Sequence, residues 1–269
     1  MVCSFRHLNS PVARVTTVLL TISYDGTNYS GWQVQPNGLA VQQVVEEALE
    51  QLLKERIQVR SSGRTDAGVH ALAMAASFST SRNLPLRAFV EGANRFLPPD
   101  IAIQNARIVP EGFKPITMAH AKQYRYTIIN SSVRSPLDRL YSWQVREPLD
   151  LAAMKEAAGR FVGSHDFAAF RASNCVAKTT VRRIDSVRIT RQGDRITIDV
   201  TGGGFLKNMV RVMVGTLIDV GKGRFTPSDI DRLLQEGDRK EAGSTAPACG
   251  LCLIQVVYPE EVTSLPADA

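Results

Sequence analysis

Apolar residues recur at positions 41, 44, 45, 48, 49, 52 and 53, the stripe of an amphipathic helix with one buried face. Around it the period shortens to two, or to brief apolar runs of strand length. "TTVLLTISYDG" reads as a strand closed by a turn at Asp25-Gly26, and "IQVRSS" and "LAMAASFST" as strands flanking a small loop. A short helix near 85–95 and a strand at "IAIQNARIV" complete the first half, and "PEGFKPITMA" reads as a crossing to the second. There, "KQYRYTIIN" alternates as a strand with Tyr124, Tyr126 and Ile128 on one face. A strand at "YSWQVRE" and a helix near "DLAAMKEAAGRFVG" follow, then a hairpin of "VRRIDSVRITR" and "DRITIDVTG". A long helix from Phe205, another after Pro227 and a strand at "LCLIQVVY" close the pattern.

Hairpin-like strands mixed with helices predict an α+β fold: two α/β halves with largely antiparallel sheets meeting at a central cleft. The expected division is a flexible N-terminal extension over 1–15, a first domain over 16–112, a second over 117–259 and a flexible tail over 260–269. No apolar run is long enough for a membrane span, and no signal-peptide core stands at the N-terminus. A cytoplasmic protein is expected.

The net charge of +6 favours an anionic partner. Seven basic residues and two acids lie between Arg171 and Arg195, which suits either a solvated strand pair or a phosphate-tracking surface. Cys3, Cys175, Cys249 and Cys252 complete no zinc pattern and read as core thiols of a reducing compartment. The four histidines share no ligand spacing, so no metal is expected.

Two stretches could carry chemistry. In "GGGFLKNMVRVMVGTLIDVG" the glycines invite a phosphate-loop reading, but no Gly-Lys-Ser/Thr follows, and Lys207 stands where G-x-G-x-x-G needs its last glycine. The helix is apolar nearly all round, with Lys207, Asn208 and Arg211 as its polar stripe. A buried arginine requires an anionic partner, an aspartate from another element or a phosphate. In "SSGRTDAGVHA" one carboxylate, Asp66, sits among small residues two places after Arg64. No second carboxylate lies near it in sequence to support glycosidase-type chemistry, and spacing alone favours Arg64 and Asp66 tying down a hairpin loop.

"GRTDAGVHA" resembles the signature of the TruA family of tRNA pseudouridine synthases. "YDGTNYSGWQVQP" with "VQQVVEEAL", "NRFLPPDI", "KQYRY", "DFAAFRAS", "GGGFLKNMVR" and "APACGL" are similar to family blocks in family order, from Tyr24 to Tyr258. The resemblance implies the pseudouridine synthase fold with a central RNA-binding cleft. It also implies isomerisation of uridine to pseudouridine in the tRNA anticodon arm, at positions 38 to 40, without cofactor or metal. Asp66 would be the catalytic residue, attacking the sugar or taking its 2′ proton. Arg64 would hold the rearranged nucleotide site, Tyr124 would stack on the flipped base, and Arg211 would be the basic partner of Asp66. The partners implied are tRNA and a second copy of the chain. Ile116 stands where the family often has arginine, Ala73-Met74 where it has glycine-glutamine, and Ala40 where it has a helix-capping Thr or Ser, a change expected to lose roughly 1 kcal/mol. The alternative function is an RNA-binding or tRNA-chaperone protein on the same scaffold.

Overall fold

The computed structural model describes residues 15–263, so the expected extension lies almost wholly outside the described residues. The first half contributes strands β1 (Thr16–Tyr24), β2 (Arg60–Ser61), β3 (His70–Thr80) and β4 (Ile101–Val109), with helix α1 (Val41–Leu53) between β1 and β2. After a helical turn, α2 (Pro115–Met118), come β5 (Ala121–Asn130), β6 (Trp143–Val145), α3 (Leu151–Gly159), β7 (Gly163–Asp166), β8 (Val181–Gln192) and β9 (Arg195–Gly202). Helices α4 (Met209–Gly221) and α5 (Pro227–Glu236), strand β10 (Leu251–Val257) and a last helical turn, α6 (Glu260–Thr263), complete the chain.

The α+β organisation with largely antiparallel pairing is what forms, and the sheets of the two halves join edge to edge. The strand order is β4-β1-β3-β10-β5-β9-β8-β7, with β2 beside β3 and β6 beside β5. The last strand supplies the seam. β10 runs parallel to β3 and antiparallel to β5, so that Leu253 lies between Ala71 and Tyr124. One apolar cluster spans both halves, from Leu20 and Leu49 to Ile198 and Met213.

Local chemistry explains where the elements differ from the sequence pattern. "IQVRSS" pairs only at Arg60 and Ser61, because α1 takes the preceding amides: Val59 N donates to Glu46 Oε1 (2.8 Å) and Ile57 N to Glu50 Oε1 (3.1 Å). The long helix starts at Met209, not Phe205, since Asn208 before it is left-handed (φ 61°). β7 falls where only the end of a helix was expected, and "YSWQVRE" shrinks to the three residues of β6. Of the expected tail, residues 260–263 form α6, which buries Val262 against Leu19, Ala75, Val109 and Phe113; the rest lies outside the described residues.

Candidate nucleic-acid active site

Asp66 is held by the backbone around it. Its loop leaves β2 and enters β3, closing in a turn in which Val69 N donates to Asp66 O (3.1 Å). The Tyr24 and Thr65 hydroxyls share a hydrogen bond of 2.8 Å, and Trp32 N donates to Thr65 O (3.2 Å). Gly31 makes that contact feasible. It has φ +95°, and a Cβ there would lie 2.6 Å from Thr65 O. The same segment caps α1: Val41 N donates to Gly31 O (3.1 Å) and Gln42 N to Trp32 O (2.9 Å). Ala40 therefore costs less than its missing side chain implies, because backbone carbonyls satisfy the orphan amides.

Arg211 comes from α4. Every residue of that helix is buried except Arg211 and Asp219, as its apolar composition demands. Arg211 Nη1 lies 3.6 Å from Asp66 Oδ2, with the two side chains 16% and 27% exposed. At that distance the pair is electrostatic and not a hydrogen bond. Direct bonds go elsewhere, from Nε to Ala246 O (2.7 Å) and from Nη1 to Asn208 Oδ1 (3.1 Å). They offset part of the cost of burying the guanidinium. The Ala246 loop reaches Arg211 because α4 carries glycine at 215, where a Cβ would meet Ser244 O at 1.7 Å.

Tyr124 is buried on β5, its ring edge-on to Phe205 at 5.1 Å. Its hydroxyl pKa is pushed up, chiefly by burial and further by the Asp66 charge. Tyr126, two residues on, is structural: its hydroxyl donates to Pro247 O (2.7 Å) and its ring packs on Trp143. Arg64 is exposed. Asp66, Tyr124 and Arg211 thus meet from three distant parts of the chain, with Arg64 beside them in sequence but outside that cluster.

The basic stretch is divided. Arg183 pairs with Asp185 and Arg195 with Asp138. Burial pushes the Cys175 thiol pKa up, but backbone hydrogen bonds with Ala177 and Lys207 and, less strongly, the nearby charges of Arg171 and Arg182 bring it below its ordinary value. This loop is joined to the start of α4 by Ala172 N donating to Lys207 O (2.9 Å). Those cations therefore lie near the start of the helix that carries Arg211. Cys175, Cys249 and Cys252 are free thiols, half-buried where core positions were expected, and burial pushes Cys252 up to about 11. Cys3 lies outside the described residues. Among the described residues, no three His, Cys, Asp or Glu side chains cluster at metal-binding distance.

Of the departures, Ile116 is 59% exposed on α2, while Met74 is buried and its sulfur accepts from Ser62 Oγ at 3.6 Å beneath the Asp66 loop. A cavity of about 460 Å³ takes Arg125 and Thr127 from the opposite face of β5 and includes none of Asp66, Tyr124 and Arg211. Phe205, against the Tyr124 ring, and Lys122, on the strand face of Tyr124, are neighbours that motif reading passed over. The period-two alternation of "KQYRY" was the signal for Lys122.

Residues 20–115 and 157–259 match the family model described as tRNA pseudouridine synthase. The chain belongs to that family. It is 69% identical over 242 residues to the tRNA pseudouridine synthase A of Pelobacter propionicus, covering 90% of this chain and 99% of the relative. It is 55% identical to that of Geobacter sulfurreducens (90% of this chain, 99% of the relative) and 49% identical to that of Myxococcus xanthus (89% and 91%).

Proposed function

We propose that this chain isomerises uridine to pseudouridine in the anticodon arm of tRNA, at positions 38 to 40, with Asp66 as the catalytic carboxylate. The observation that carries the reading is the convergence of Asp66, Arg211 and Tyr124, with cations near the start of the helix that carries Arg211. An aspartate facing an anionic ligand is a burden for simple RNA binding and an asset for chemistry at the sugar. Either attack on C1′ or removal of the 2′ proton frees the base. The base then turns over, bonds through C5 and exchanges its C5 hydrogen for one on N1. Arg211 orients the carboxylate, Tyr124 stacks on the extruded base, and Arg64 holds the vacated nucleotide position. The buried surroundings exclude water, which would otherwise turn a detached-base intermediate into an abasic site. The reading includes a cytoplasmic homodimer holding one tRNA across two subunits, for which sedimentation with and without tRNA is the check.

Tritium release from C5-labelled uridine in unmodified tRNA transcripts tests the activity. The wild type should release label and Asp66→Ala should fall to background while still binding tRNA. A wild type that binds but releases nothing would replace this reading with the RNA-binding one.

A further inference from the structure

Lys122 is the second residue of β5, on the same strand face as Tyr124 and Tyr126. It is 8% exposed, paired in the sheet with Gly202 of β9 and Val256 of β10. Among the described residues, none pairs with its ammonium by hydrogen bond or ion pair, and burial pushes its pKa down with no opposing charge to restore it. Its ammonium is not fully enclosed and keeps a narrow contact with solvent; a largely buried cation without a partner still costs some desolvation, which a methionine of similar length would avoid. The ammonium faces Gly63, where a Cβ would lie 3.2 Å from Nζ. Glycine at this position keeps the side of Lys122 that looks toward the Asp66 loop open. Gly63 precedes Asp66 by three residues, a span of at most about 11 Å even when extended.

We propose that Lys122 is a phosphate-binding residue of the cleft, its ammonium taking the RNA backbone phosphate beside the uridine presented to Asp66. This rests on the isomerase reading above for the identity of the ligand. RNA carries one anion per nucleotide, so a strand that places a uridine at Asp66 brings a phosphate within reach of Lys122. The bound phosphate supplies the partner that the free protein lacks. A lysine that only covers apolar surface with its stem would gain nothing from RNA.

The test compares full-length wild type, Lys122→Met and Lys122→Arg for tRNA binding across a salt series, with thermal melts and single-turnover tritium release alongside. Lys122→Met should melt no lower than wild type, bind roughly three- to tenfold more weakly, and show a log K against log salt slope shallower by about one. Lys122→Arg should recover most of the binding. Stem-loops carrying single neutral methylphosphonate linkages beside the target uridine provide a second arm. One linkage should weaken the wild type and leave Lys122→Met unaffected. An unchanged slope in Lys122→Met overturns the proposal whatever its melting temperature, and so does a wild type indifferent to every such linkage, a result that needs no variant to fold. A wild type that binds but releases no tritium overturns the isomerase reading alone, and the slope comparison still decides Lys122.

Discussion

Gly31 sits thirty-five residues before Asp66 in sequence and directly against its loop in space. A Cβ at 31 would lie 2.6 Å from Thr65 O and 3.2 Å from the Asp66 carbonyl carbon, on a backbone with φ +95°. Gly31→Ala should therefore cost about 1–3 kcal/mol in a denaturant melt, and lower tritium release further than that loss of stability accounts for, because the carboxylate itself is displaced. Restored activity at low temperature, with the fold intact, would show that the loop tolerates the shift. Asp66→Ala and Lys122→Met belong to the same scale, the first removing the reacting group and the second a contact to its ligand.

At the scale of elements, the helices draw on neighbours that composition does not reveal. α1 begins at a residue with no capping side chain, yet the loop at 31–32 supplies two carbonyls, and its glutamates on the other side take the amides of Ile57 and Val59. α5 is the opposite case, capped from within: the Asp229 carboxylate accepts from Thr226 N (2.7 Å) and Thr226 Oγ1 (2.8 Å). Those bonds hold the Asp229 carboxyl below its ordinary value of 3.8, the backbone bond most of all. A depressed folded pKa gives stability that is present above the unfolded value and lost as pH falls through the folded one. Wild type should therefore be more stable than Asp229→Asn at neutral pH, by about 1 kcal/mol as for other caps. That advantage should fade below pH 3.8, as read by urea melts across acidic pH.

For the whole molecule, β10 decides the architecture. It fills the gap between β3 and β5 and puts the start of β3, which carries the Asp66 loop, one strand away from the strand that carries Tyr124. The positive charge is organised at the same scale. Of the basic residues between 171 and 195, Arg171 and Arg182 act on Cys175 without an acidic partner of their own among the described residues, while Arg183 and Arg195 are paired with acids. Arg171→Gln with Arg182→Gln should weaken tRNA binding at every sequence and reduce the salt slope by about one per lost phosphate contact. Arg183→Gln should change neither. Equal effects from all three would make the stretch a diffuse field and not a defined edge.

Much of this molecule was legible in one dimension. The apolar periods located α1, β1, β4, β5 and the β8–β9 hairpin, since burial on one face imposes a repeat of 3.6 or 2 on any chain. The "GRTDAGVHA" and "KQYRY" blocks brought forward Arg64, Asp66 and Tyr124, and the apolar surroundings of Arg211 required an anion that the structure supplies as Asp66. Tertiary structure decided what depends on contacts between remote segments. It ended "IQVRSS" as a strand because Glu46 and Glu50 claimed its amides, and delayed α4 behind a left-handed Asn208. It inserted the final strand between the halves and left Lys122 without a partner opposite Gly63. Periodicity reports which face of an element is buried; which partner meets that face depends on the path of the whole chain.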